Sequence, residues 1–173
     1  MGALVDTLRA RFGDRILDAH DRLGDETIVI ARESMPEVFR WLRDDPEMAF
    51  NFLIDETAVD YLGKTPRFEL VIHLFSLPRG HRLRVKIPLD EKDCWAPSLD
   101  PLWKNANWLE REVYDMFGIR FEGHPDLRRI LLYPQFEGHP LRKDYPVAKR
   151  QPILPERDPI ANPWSPRGVR GKG

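Results

Sequence analysis

Past Gly118 the chain stops repeating. No spacing of two, or of three and four, survives from Gly118 to Pro146, and prolines stand at 125, 134, 140 and 146. Five more follow at 152, 155, 159, 163 and 166. Proline fixes φ and removes a backbone N–H, which bars helix and interior strand from most of this stretch. The regular part of the fold must therefore be built earlier. Yet residues 118–146 carry Leu127, Ile130, Leu131, Leu132, Tyr133, Phe136, Leu141 and Tyr145, too apolar a set for a disordered segment. Structureless loops of this length are uncommon inside compact domains and usually functional. The expectation is that the segment must pack on something, with another polypeptide covering it. Within it only Arg128–Tyr133 leaves room for a regular element.

Before Gly118 the periodicities are clear. Leu4, Val5, Leu8 and Phe12 recur at helical spacing and Gly13 supplies a left-handed stop. Arg15–Ala19 and Thr27–Ala31 read as strands around a Gly24-Asp25 turn. Ser34-Met35-Pro36-Glu37 has the form of a capping box, and Met35, Val38, Phe39 and Leu42 then line one helix face up to Pro46. A strand is expected near Phe50–Ile54, within an otherwise mixed stretch. In Arg67–Leu77 the residues Phe68, Leu70, Ile72 and Leu74 share a face; in Arg82–Ile87 it is Leu83, Val85 and Ile87, with Pro78–His81 as the hairpin loop. A third helix is predicted from an Asp100 cap and Pro101, with a stripe of Leu102, Ala106, Leu109, Val113 and Met116 ended by Gly118. Trp103, Trp108 and Phe117 lie off that stripe. The reading is an α+β fold: a two-layer domain with a mixed or antiparallel sheet over 1–117, an irregular docking segment over 118–146, and an extended Pro-rich arm over 147–173 anchored by Trp164.

Charge separates body from tail. Up to Pro146 there are 21 Lys+Arg against 26 Asp+Glu, and from Val147 onward six against two, within a net charge of −1. A basic tail on an acidic body suggests a tail that reaches for a partner. Cys94 is the single cysteine, which excludes an internal disulfide and a Cys-built zinc or iron–sulfur site held by this chain alone. The N-terminus lacks the apolar region of a secretory signal, and no apolar run approaches the roughly 20 residues of a membrane span. A soluble protein that meets a membrane only through partners is expected.

Four candidate sites follow from the residues. His124 and His139 sit in two Gly-His-Pro runs, 123–125 and 138–140. As metal ligands they lack a third partner beyond Asp126 or Glu137; as fixed corners they need only a glycine with an unusual φ and a histidine extended by the following Pro125 or Pro140. The corner reading is favoured. Glu110, Glu112 and Asp115, with Arg111, form an acidic cluster suited either to a perturbed pKa or, as is more common, to a solvated ion-pair face. Arg128, Arg129, Arg142 and Lys143 alternate with Glu122, Asp126, Glu137 and Asp144, which suits specific ion pairs better than a phosphate or RNA site. The run Arg167–Lys172, RGVRGK, is the better nucleic-acid candidate, and it is short.

The run from Glu110 to Leu131, EREVYDMFGIRFEGHPDLRRIL, followed by EGHPLRKDYP at Glu137–Pro146, resembles the signature of the C subunit of NADH-quinone oxidoreductase, respiratory complex I. The resemblance implies a cofactor-free subunit of the hydrophilic arm on the cytoplasmic side of a bacterial membrane, or its organellar equivalent. NADH, FMN, iron–sulfur clusters and quinone are then expected on other subunits. It implies packing beside the D subunit, which with the B subunit shapes the quinone pocket, and a version not fused to the D subunit. Partner docking is expected of Glu110, Arg111, Glu112, Asp115, His124, Pro125, Arg128, Arg129, His139, Pro140, Arg142, Lys143, Asp144 and Trp164. Arg128→Ala and Arg142→Ala are expected to impair assembly more than folding. The alternatives are the matching subunit of an energy-converting hydrogenase or other-donor dehydrogenase complex and, more distantly, a nucleic-acid-binding protein.

Overall fold

The computed structural model describes residues 2–152. In chain order it contains α1 (Ala3–Phe12), β1 (Ile16–Arg22), β2 (Asp25–Ile30), α2 (Met35–Asp44), β3 (Phe52–Asp60), β4 (Phe68–Ser76), β5 (His81–Leu89), β6 (Trp95–Pro97), α3 (Ala106–Phe117) and β7 (Arg120–Glu122). The first five strands form one sheet in the order β1-β2-β5-β4-β3. Hairpins make β1–β2, β3–β4 and β4–β5 antiparallel, and the long return from β2 to β5 makes that pair parallel. The sheet is therefore mixed. β6 and β7 form a short parallel pair that sets the start of the 118–146 segment beside the body.

Alternation decides which face is dry. Leu83, Val85, Ile87 and Leu89 of β5 and Phe68, Leu70, Ile72 and Leu74 of β4 are buried, as expected from their period of two. They meet Leu4, Val5, Leu8 and Phe12 of α1, Met35, Val38, Phe39 and Leu42 of α2, and Val113 and Met116 of α3 in one core. Each large side chain so buried contributes roughly 1.5–3 kcal/mol. Phe39 meets Trp103 edge to face, and the buried Trp103 satisfies its indole N–H by donating to the Phe50 carbonyl at 3.2 Å.

Four local expectations are corrected. Ser34 makes no side-chain cap bond; it ends a short 3-10 turn at Arg32–Ser34, so α2 is entered already coiled. Gly13 has φ 52° and ψ −122°, outside the left-handed helical well, because the chain turns at once into another 3-10 turn. The third helix starts at Ala106, six residues after Asp100. Asp100 instead accepts from Lys104 and Asn107, while Asn105 reaches β3 by donating to the Leu53 carbonyl at 2.8 Å. Finally, the regular piece past Gly118 is Arg120–Glu122, not Arg128–Tyr133.

Candidate docking site

The irregular segment is built on the C-terminal half of α3. Asp115 is fully buried there and spends both carboxylate oxygens on the loop. Its Oδ2 accepts the successive backbone N–H groups of Ile130, Leu131 and Leu132 at 3.1, 2.9 and 2.9 Å, and its Oδ1 accepts Arg129 at 2.6 Å. Consecutive N–H groups pointing inward make an anion hole, and here the chain's own carboxylate fills it. Burial pushes the Asp115 pKa up, but the Leu132 N–H, Arg129 and the two other N–H groups outweigh it, so the carboxyl lies below its usual range.

Arg111, one turn earlier, donates to the carbonyls of Arg128 and Arg129, so the same loop is gripped by its C=O groups as well. Arg129 also donates to the Gly138 carbonyl at 3.0 Å and lies over the Phe136 ring. The second Gly-His-Pro corner closes on the helix end. His139 Nδ1 is 3.0 Å from the Asp115 carbonyl, to which it donates, and burial together with Arg142 and Arg129 holds its pKa below the ordinary value. Arg142 donates to the Phe117 carbonyl at 2.5 Å and covers Phe68. All this happens around Gly118, whose left-handed φ of 76° ends α3; a Cβ there would stand 2.6 Å from His139 Nε2. Gly123 and Gly138, which open the two corners, have φ of 83° and 93°.

The first corner is held more than two turns up the helix. His124 Nδ1 accepts the Asp126 N–H and its Nε2 donates to the Asn107 carbonyl, both at 3.0 Å, with Glu110 4.0 Å away. At the far end Lys143 and Asp144 reach the sheet. Asp144 pairs with Arg67, which also takes Asp60 in a two-pronged bond at 2.9 Å and Glu91 at 2.5 Å. The Lys143 backbone N–H donates to Asp60 as well.

Glu110 and Asp115 are thus not a solvated face. Both are fully buried and are spent on the loops they hold. Arg142 is likewise tied to its own chain. Glu112, Pro125 and Arg128 point outward, Arg128 paired with Asp126 in solvent, and Pro140 is half-buried. Trp164 lies outside the described residues. Nor does the segment depend wholly on foreign cover: Leu127 and Leu132 pack against the chain's own core. What stays exposed is Leu131 and Leu141, with Trp108 on the outer side of α3. Reading the sequence alone misses Arg67, Asp60 and Ser98. The available signal is the alternation of β3, which turns Glu56, Ala58 and Asp60 inward.

The model of the family described as "Respiratory-chain NADH dehydrogenase, 30 Kd subunit" matches residues 28–151. The chain is 49% identical over 155 residues to the NADH-quinone oxidoreductase C subunit of Citrifermentans bemidjiense, covering 90% of this chain and 92% of that one. It is 47% identical to the protein of the same name in Roseiflexus sp. strain RS-1, over 86% of this chain and 85% of the relative. Among solved structures it resembles a fragment described as "Nqo5 of the trypsin-resistant fragment (1-134)", at 39% identity and TM-score 0.64, covering 72% of this chain and 98% of that one. A chain of an archaeal membrane-bound sulfane sulfur reductase shares the fold at TM-score 0.69 and 24% identity, over 84% and 85%. With the family model spanning most of the body and the signature loops folded onto α3, the chain belongs to the 30 kDa subunit family of the respiratory-chain NADH dehydrogenases, which includes the C subunit of NADH-quinone oxidoreductase.

Proposed function

We propose that this chain is a cofactor-free structural subunit of the peripheral arm of a proton-translocating NADH:quinone oxidoreductase. It docks, through residues 118–146, on the subunit that helps form the quinone site, the D subunit. One observation carries the reading: the segment is held from beneath by Asp115, Arg111 and Arg129 and, through the Asp144 side chain, by Arg67, while Leu131, Leu141 and Trp108 remain in solvent. A loop ordered in advance by its own chain loses little freedom when a partner covers it. The basic tail over 147–173 is a second contact in this reading. Cys94 is buried with its thiol pushed up to about 11 by that burial, which suits it poorly as a thiolate ligand. No helix among the described residues is long and apolar enough to cross a membrane, so attachment to the cytoplasmic face, or its organellar equivalent, runs through partners.

The test is a double substitution, Leu131→Glu with Leu141→Glu. Both side chains are exposed, so the isolated chain should keep its stability within about 0.5 kcal/mol. Recovery of the other subunits by pull-down from solubilised membranes should fall at least tenfold. A variant that assembles in full would remove this face from the interface.

A further inference from the structure

Beneath the N-terminal half of α3 lies a group that docking does not use. Glu56, on the inward register of β3, is 2% exposed, and neither of its carboxyl oxygens has a hydrogen-bond partner among the described residues. The helix packed on β3 places Glu110 near it, fully buried. Glu110 is held on both oxygens: the Ser98 hydroxyl donates to Oε2 at 2.7 Å and the Leu99 N–H donates to Oε1 at 2.5 Å. The other titratable groups acting on the two are Asp55, beside Glu56 on the strand, and Asp100, in the turn after Leu99. Lys104 pairs with Asp100 but its side chain is 83% exposed. From the loop after β7 comes His124, yet its two hydrogen bonds leave it as the neutral Nε2–H tautomer. The surroundings are acidic or neutral.

Two buried carboxylates without a facing cation are untenable as charges, and the way out is a proton. We propose that Glu56 and Glu110 form a buried proton-binding pair: Glu56 takes up a proton from solvent as the body folds, Glu110 keeps its acceptor bonds, and alkaline conditions that strip the proton loosen this end of the molecule. The consequence reaches the docking segment, because Ser98 also donates its backbone N–H to the Glu122 carbonyl at 2.8 Å, immediately before the first Gly-His-Pro corner. The inference goes beyond the docking reading and does not rest on it.

Burial raises Glu110 to about 7, and burial with the Glu110 charge raises Glu56 well above the usual carboxyl range. Folded pKa values above the unfolded ones mean that the folded state binds more protons. The stabilisation is complete below the unfolded value and is lost as pH rises through the folded ones.

The test uses the full-length chain labelled with 13C at the glutamate carboxyl carbons, titrated from about pH 4 to about pH 9, and the variant Glu56→Gln. Two carboxyl carbons should titrate well above the rest, and Glu56→Gln should abolish the higher step. Its melting temperature should also fall less steeply than that of the wild type above about pH 7. The proposal is overturned if every carbon titrates in the ordinary range, or if the two melting profiles run parallel. Should Glu56→Gln fail to fold, the wild-type titration decides alone.

Discussion

Asp115 satisfies four donors with two oxygens. Removing it leaves three loop N–H groups unpaired and takes the carboxylate from a mostly buried guanidinium, which keeps its bond to the Gly138 carbonyl; breaking a buried pair from one side costs roughly 3–5 kcal/mol. Asp115→Ala should therefore lower the urea-unfolding free energy of the isolated chain by that order, and a loss under 1 kcal/mol would mean that the loop is held otherwise. Its pH dependence has a definite sign. The folded pKa lies below the unfolded value, so the stabilisation is present above the unfolded pKa and disappears as pH falls through the folded one. That is the reverse of Glu110 on the same helix, whose folded value near 7 removes stabilisation as pH rises. The arginines divide in a similar way. Arg142 bonds to Phe117 and covers Phe68, so Arg142→Ala should destabilise the isolated chain. Arg128 is largely in solvent, so its loss should alter the unfolding midpoint little. Equal effects of the two substitutions on unfolding would contradict this division.

At the level of elements, α3 and its terminal glycine fix the direction of everything that follows. Gly118 has a left-handed φ, and a methyl group added there would meet the His139 ring at 2.6 Å. Gly118→Ala should therefore cost about 1–2 kcal/mol for the backbone alone, more if His139 must move. It should also speed amide exchange at Leu141, whose N–H donates to the Met116 carbonyl. Unchanged exchange would show that the corner tolerates the shift. This glycine was legible in the sequence because an apolar period ended on it. The start of the helix was not. Asp100-Pro101 carries true capping chemistry, but Trp103 and Asn105 must reach the Phe50 and Leu53 carbonyls, and that tertiary demand delays the coil to Ala106. The stripe was also incomplete. Counting apolar residues alone finds Val113 and Met116 and passes over Glu110 and Asp115, whose partners lie 11 to 17 residues away in loops without period. The sheet was easier to read, since alternation is local and its register follows from hairpins.

Across the whole molecule, the 118–146 segment is fastened at two places, and the second fastening spans 77 residues. Arg67 is almost wholly buried and holds Asp60, also buried, together with the half-exposed Asp144 and Glu91. Three carboxylates around one guanidinium keep it protonated and make it a latch between sheet and segment. Arg67→Met would leave Asp60 as a buried charge with, among the described residues, the Lys143 N–H alone to answer it. Such a loss, about 3 kcal/mol, corresponds to roughly a hundredfold rise in the local opening constant. The opening is expected to be partial, because Asp115 and Arg111 hold the other end independently. Trypsin should then cut the full-length variant after Lys143 far faster than wild type, while far-UV circular dichroism of the uncut protein stays unchanged. The same variant should recover less of the partner subunits, since residues near Leu141 would no longer be presented in one conformation. Rapid cutting with full assembly would show that partners can close the latch themselves. Cutting at the wild-type rate would mean that Asp144 is held in place by something other than Arg67.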